Sequence, residues 1–292
     1  MTPERKVAVV TDEGCSIRPH DSLAQKYGVA IMPLELSFYQ DGVYVPCTDP
    51  KMTLPEFYKR LREAKKPPKT SGAMGSLAES YKSLATQTDS IISIHLTSKR
   101  SGAWSSAVLA KRLAQEEMPE LLIEVIDSKQ ISLGQWFLVE RAAQRAQEGA
   151  SLAEIKQEVI DTIPKIELLA VLANLDNVIA GGRVPAFQGH LGNLLKIKPI
   201  LAVEDGEIQV RERPRSMRKA IEGMVEWVRI AQARQIVKMA VLHTNDLAAA
   251  KDVRSALADF YHGEIKIYDA GKVLAVHAGE GAVGVAFETK RA

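Results

Sequence analysis

The stretch LLAVLANLDNVIAGGRVPAFQGHLGNLLKIKPILAV, Leu168 to Val203, decides how the chain is read. It starts as a continuous apolar run, the pattern of a strand buried on both faces. Asn174, Leu175 and Asp176 begin a short turn or helix that runs into Gly181-Gly182-Arg183. A double glycine breaks regular structure and lets the backbone come close to a neighbour. Arg183 follows it on a tight turn. A guanidinium there either lies on the surface of a loop or forks onto a carboxylate or phosphate. Leu191, Leu194 and Leu195 form a helix-like apolar run beside Gly189 and Gly192, and Ile197-Lys198-Pro199-Ile200-Leu201 reads as another buried strand. An anchored cation, small residues and an apolar surface together suit an amphiphilic acid with an anionic head and an apolar body.

Outward from this stretch the same style repeats. Short apolar strands at Val7–Thr11, Val29–Ser37, Asp89–Leu96, Leu121–Ile126, Ile236–Leu242 and Val283–Phe287 alternate with amphipathic helices. Thr53 with Glu56, and Ser151 with Glu154, have the spacing of capping boxes. Asp41-Gly42 and Asp205-Gly206 are hairpin turns. This alternation predicts an α/β fold with mainly parallel sheets. The passage from one capped helix into a new strand places a boundary near residues 155–170. The expected division is an N-terminal α/β domain over 1–160 and a C-terminal one over 161–292, with the last segment able to pack back on the first domain.

Composition narrows the function classes. At 292 residues the chain can hold two domains and a large core. A formal net charge of +2 gives no bulk field for nucleic acid or a membrane surface. Cys15 and Cys47 have no framework of spacings and read as free thiols in a reducing compartment. The opening Met1–Lys6 is polar and no apolar run reaches spanning length, so a cytoplasmic protein without stable membrane insertion is expected.

In parallel sheets, ligands collect beyond the carboxyl ends of the strands. Several predicted strands end there in short polar residues: Thr11-Asp12, Thr97-Ser98, Asp127-Ser128 and His243-Thr244. In LTSKRSGAWSS a strand passes through a polar loop to a helix start at Gly102. Free N–H groups, the helix dipole and the Ser101 hydroxyl favour an anion there, and simple N-capping by Ser101 explains the same residues. Thr70-Ser71 before Gly72 has the same two readings on a loop. His277 stands in a glycine loop before the last strand, where an imidazole can donate to a carboxylate. His95, inside a strand, reads as a core residue. Arg211, Arg213, Arg215, Arg218 and Lys219 are either a solvated face or a dock for an acidic or phosphate-bearing partner. There is no phosphate-binding glycine loop, no nucleophile elbow, no dinucleotide fingerprint and no Cys/His set with metal spacing. Asp12, Asp127 and His277 have catalytic chemistry, yet nothing local pairs them.

With these residues laid out, the chain resembles the DegV family of fatty-acid-binding proteins, which includes the lipid-binding subunits of bacterial fatty acid kinases. The resemblance runs from Val9-Val10-Thr11-Asp12 to His277-Ala-Gly-Glu-Gly-Ala. Its carriers are Thr70-Ser71, Ser98-Lys-Arg-Ser101-Gly102, Ile126-Asp127-Ser128, Leu175 with Gly181-Gly182-Arg183, Ile197-Lys198-Pro199-Ile200-Leu201 and the His277 loop. It implies two α/β domains and a long acyl chain as ligand, with no cofactor and no metal. It implies that Thr70, Ser71, Ser101, Gly102, Arg183 and His277 meet the carboxylate, that Arg215 lies near the phosphate of a kinase partner, and that the chain itself is no enzyme. It departs from the family at Glu13-Gly14, where Ser-Thr is usual after the aspartate, at Ala103, often threonine, and at Glu280, usually proline. Burying roughly a dozen CH₂ groups at ~0.8 kcal/mol each contributes about 10 kcal/mol, against about 1.5–3 kcal/mol for each charge-assisted hydrogen bond. The tail therefore sets affinity and the loops set orientation. Two rivals stand beside this reading. One is a stand-alone enzyme on an anionic small molecule with His277 as acid/base; the other is a nucleic-acid-binding module using residues 211–219.

Overall fold

The computed structural model describes residues 7–47, 52–72, 74–184 and 197–291. β1 (Ala8–Asp12) leads through a short turn to α1 (Ser22–Tyr27), which stops at Gly28 in the left-handed conformation. β2 (Ala30–Met32), β3 (Leu34–Gln40) and β4 (Val43–Pro46) follow, the last two joined as a hairpin by Asp41-Gly42, both at positive φ. α2 (Leu54–Glu63) opens on the Thr53/Glu56 capping box, and α6 (Leu152–Thr162) on that of Ser151/Glu154. Between them lie β5 (Lys69–Gly72), α3 (Met74–Leu84), β6 (Ser90–His95), α4 (Ala103–Glu117), β7 (Leu122–Asp127) and α5 (Ser132–Gln147). The rest is β8 (Ile166–Val171), α7 (Asp176–Gly181), β9 (Ile200–Glu204), β10 (Glu207–Glu212), α8 (Met217–Ala231), β11 (Ile236–His243), α9 (Leu247–Ala258), β12 (Ile265–Asp269), α10 (Gly271–Ala278) and β13 (Val283–Thr289).

These elements form two compact units. The first takes the chain up to Glu35 and again from Ser71 to Pro164. Its sheet, ordered β2-β1-β6-β7, is parallel throughout. One face of it is covered by α3 and α4, whose Tyr81 and alanines Ala107, Ala110 and Ala114 pack on Val10, Ile91 and Ile123. Small residues repeating on one helix face let α4 lie close to the strands. Chain order reverses between β1 and β6, the position where open α/β sheets split to admit a ligand.

The second unit takes Leu36–Thr70 and the chain from Lys165 onward. Its sheet, ordered β10-β9-β8-β13-β11-β12, is α/β in its layers but parallel only at β11–β12. Here the structure differs from the expected mainly parallel pattern. Asp205-Gly206 folds β9 onto β10, and β13 runs opposite to both β8 and β11. β13 is buried along its whole length. The last segment thus closes the second unit's own sheet. The excursion of residues 36–70 is absent from a simple division at 160. It follows from burial: Leu36, Phe38, Phe57 and Tyr58 pack with Ala275 and Val276 of α10.

Of the stretch that opened the reading, β8 and β9 lie side by side, with Leu169 opposite Ala202. β9 begins at Ile200, three residues later than the sequence suggests. The Lys198 N–H instead donates to the Pro214 carbonyl at 2.7 Å. The apolar run of Leu191, Leu194 and Leu195, with Gly189 and Gly192, lies outside the described residues.

Candidate functional site

In the second unit three of the expected residues converge. His277 sits on the last turn of α10, a helix where the sequence suggested a loop. Its Nε2 lies 2.9 Å from the Thr70 hydroxyl on β5. β5 is likewise a strand where a loop was expected. The other ring nitrogen faces α7: a Cβ placed on Gly181 would come within 3.2 Å of His277 Nδ1. Glycine leaves room for the ring there; a Cβ would make it give by a few tenths of an ångström. Gly182 ends α7 at φ 67, the left-handed conformation glycine takes freely. Arg183 follows, its Nη1 donating to the Gly181 carbonyl. Burial first, and the nearby Arg183 charge second, push the His277 pKa down to about 4. A helix C-terminus favours a cationic imidazole, and here burial and the arginine override it. The ring is neutral at pH 7 and offers one N–H and one lone pair.

Asn177 fixes this arrangement from behind, its amide donating to the Val276 carbonyl at 2.9 Å. With Asn174 it flanks Gly279. Sequence patterns mark Asn174 only as a turn former and give no signal for Asn177; Asn174 lies just before α7 and Asn177 in its first turn. An apolar layer lies alongside, formed by Leu172, Leu175, Val178, Val184, Leu201 and Ala282, with Ala278 packed against it.

The first unit carries the other expected residues. Ser71 donates to Glu35 Oε2 at 3.2 Å, so its hydroxyl is already engaged by a carboxylate that the sequence reading did not pair with it. A Cβ on the neighbouring Gly72 would lie 3.3 Å from the Ser106 hydroxyl of α4. The end of β5 therefore approaches the first turn of α4. At that turn Ser101 Oγ accepts the Ala103 N–H at 3.2 Å, the local capping bond. Gly102 is exposed, with open space around it, and leaves the helix start bare. Asp127 holds the loop in place. It accepts from Ser98 Oγ at 2.5 Å, Ser98 N–H at 3.2 Å and Lys129 N–H at 2.9 Å. Its role is structural.

Asp12 and His95, separate in the sequence reading, form a pair. Asp12 closes β1 and His95 closes β6, at the reversal point of the parallel sheet. His95 Nδ1 lies 2.9 Å from Asp12 Oδ2, and Nε2 lies 2.7 Å from Ser93 Oγ, which accepts from the Tyr81 hydroxyl at 2.7 Å. Asp12 also accepts the Gly14 and Leu96 N–H groups at 2.9 and 3.1 Å. The carboxylate can only accept, so Nδ1 carries the proton and Nε2 receives the Ser93 hydroxyl. The order is that of a hydrolytic triad, but Ser93 is fully buried on a central strand and capped by Tyr81. It has no access to a substrate.

The basic run 211–219 is partly spent. Arg211 pairs with Glu204 at 2.7 Å and stacks on Trp227. Arg218 reaches Glu222 only at 3.7 Å. Arg215 is exposed just before α8, with no ion-pair partner among the described residues. Also among the described residues, no group of three or more His, Cys, Asp or Glu side chains could hold a metal ion, and no helix is long and apolar enough to cross a membrane.

The chain belongs to the DegV family, whose model matches residues 6–290. It is 36% identical over 297 residues to a DegV domain-containing protein of Caldanaerobacter subterraneus subsp. tengcongensis, covering 98% of this chain and 99% of that one. Among solved structures it is similar to DegV, a fatty acid binding protein from Bacillus subtilis. The identity is 28% and the TM-score 0.82, over 98% of this chain and 100% of that one. It is also similar to a DegV family protein from Ruminococcus gnavus refined with vaccenic acid. There the identity is 25% and the TM-score 0.81, over 97% and 99% of the two chains.

Proposed function

We propose that this protein binds a long-chain fatty acid and presents its carboxylate to a separate kinase for acyl-phosphate formation. The observation that carries the reading is the neutral His277–Thr70 pair, set beside Arg183 and the apolar layer of Leu172, Leu175 and Val178. A buried carboxylate is costly unless several donors meet it. A hydroxyl and a neutral imidazole supply donors without a full countercharge, and so leave a carboxylate oxygen nucleophilic. In the first unit, Ser71, Ser101 and Gly102 are likewise proposed as head-group residues, with Ser71 exchanging Glu35 for the ligand. The fatty acids of the related proteins support the same ligand class. The setting we propose is a reducing cytoplasm, where Cys15 and Cys47, both free in the structure, stay as thiols.

The rival enzyme reading, with His277 as acid/base, asks for a group that titrates near neutrality; a ring held near pKa 4 is poorly matched to that task. The nucleic-acid reading asks for a free basic stripe, and Arg211 is already committed.

The purified protein is expected to release a long-chain fatty acid on denaturation, read by mass analysis of the organic extract. Stripped protein should gain stability with added palmitate, by about 2.7 kcal/mol at a hundredfold excess over Kd. No acyl acid in the extract, together with no thermal response to palmitate or oleate, would end the carrier reading. Arg215→Ala should bind palmitate within about twofold of the parent, since surface changes rarely exceed about 0.5 kcal/mol. Acyl-phosphate formation with a cognate kinase should fall about tenfold or more, on the scale of one lost charge-assisted bond. Equal losses in binding and transfer would move Arg215 into the ligand site.

A further inference from the structure

The loop after α10 is held by a charged clamp that none of the head-group residues belongs to. Glu280 Oε1 accepts from Arg62 Nη1 at 2.7 Å and from Asn245 Nδ2 at 2.6 Å, and Oε2 lies 2.9 Å from the same Arg62 nitrogen. Arg62 comes from the end of α2, 218 residues earlier. Asn245 stands in the left-handed conformation at φ 55, between β11 and α9. Asparagine tolerates that backbone better than most side chains. The flanking backbone is fastened as well. Thr244 donates from Oγ1 to the Gly279 carbonyl at 2.6 Å and accepts the Ala282 N–H at 2.8 Å, while the Gly281 N–H donates to the Thr244 carbonyl at 2.7 Å.

Gly279 and Gly281 need this fastening. Their φ angles are 75° and 82°, and glycine is the residue with most freedom to leave such a conformation. A Cβ on Gly281 would lie 2.9 Å from Ala173, so a bulkier residue cannot supply the rigidity. Between the two glycines, Glu280 adds a charged side-chain anchor to the fastening by Thr244, and it ties the loop to α2 through Arg62. The loop starts two residues after His277 and takes over directly from the last turn of α10.

We propose that Glu280 is a positioning residue: clamped by Arg62 and Asn245, it holds the Gly279–Gly281 loop and thereby sets the ring of His277 against Thr70 and Arg183. It touches no ligand. This rests on the head-group role of His277, and adds that the ring's placement depends on a pair of side chains outside that site. Of the two, Arg62 is about half exposed and Glu280 mostly covered, so the arginine is the accessible half of the clamp.

The test follows the His277 ring by NMR titration in ligand-free protein, its signal assigned by its loss in His277→Gln. In the parent protein the ring is expected to titrate near 4. In Glu280→Ala and in Arg62→Met the loosened ring gains water and separates from Arg183, so its titration should move up by about one unit toward the ordinary value near 6.5. Glu280→Gln keeps one acceptor oxygen for Arg62 and Asn245, loses the second-oxygen contact to Arg62, and should stay near the parent. Palmitate affinity should drop about three- to tenfold in Glu280→Ala, with hexadecanol affinity little changed. A His277 titration in Glu280→Ala and Arg62→Met that superimposes on the parent overturns the proposal. If Glu280→Ala fails to fold, Arg62→Met alone decides, because it leaves the Asn245 bond in place. The titration needs no ligand, so failure of fatty acid binding and failure of the clamp are read separately.

Discussion

His277→Ala is expected to bind palmitate about 5- to 150-fold more weakly than the parent protein, while its affinity for hexadecanol stays within about twofold. The range follows from one buried hydrogen bond to a charged group, worth about 1–3 kcal/mol, at about 1.4 kcal/mol per decade. The alcohol buries the same tail and brings no charge, so it reports on pocket shape alone. Thr70→Val, which removes the hydroxyl 2.9 Å from the ring but keeps its shape, should weaken the acid by a smaller factor. Because the two groups touch, the double variant should fall short of the product of the single effects. Ser71→Ala should cost less than His277→Ala, since that hydroxyl first has to release Glu35. Parallel losses for acid and alcohol would mean that these side chains only shape the pocket, and the head-group assignment would fall. Isothermal titration or tryptophan quenching gives both affinities.

A second large effect lies away from the ligand. Asp12→Ala should destabilise the protein by about 3–5 kcal/mol, the usual consequence of removing one member of a buried, hydrogen-bonded pair. The change strands the His95 ring and the N–H groups of Gly14 and Leu96 together. Asp12→Asn, which keeps acceptor capacity at one oxygen, should lose about 1–3 kcal/mol. Denaturant unfolding followed by circular dichroism measures both. A loss under about 0.5 kcal/mol for the alanine variant would show that the pair is not holding β1 to β6. The acid-to-alcohol preference should remain as in the parent, which separates this network from the head-group residues.

Much of this was legible before any coordinates. Both capping boxes and both Asp-Gly hairpins followed from local patterns, because caps and turns are chemistry of neighbouring residues; the expectation of mainly parallel sheets holds for the first sheet and not for the second. The direction of β13 did not follow. The short run Val283–Phe287 looks the same whether its neighbours run with it or against it. His277 and Thr70 were assigned to loops because glycines stood beside them; in the structure those glycines end the elements rather than replace them. Asp12 and His95 could not be paired from sequence, being 83 residues apart and joined only through the register of β1 on β6. Glu280 was visible only as a departure from the family's usual proline. What it bonds to depends on Arg62, whose place beside α10 comes from the burial of Phe57 and Tyr58 one turn or so earlier on α2.

That burial also sets a timetable for synthesis. Phe57 and Tyr58 are made about 220 residues ahead of their partners Ala275 and Val276. At about 5–20 residues per second, the aromatic face of α2 waits on the order of 10–40 s for the α10 part of its cover, with only nearby residues such as Leu36 and Phe38 against it until then. The first unit, too, is interrupted by residues 36–70 and closes only by setting this segment aside. A nascent chain therefore carries this aromatic segment only partly covered until α10 has been made.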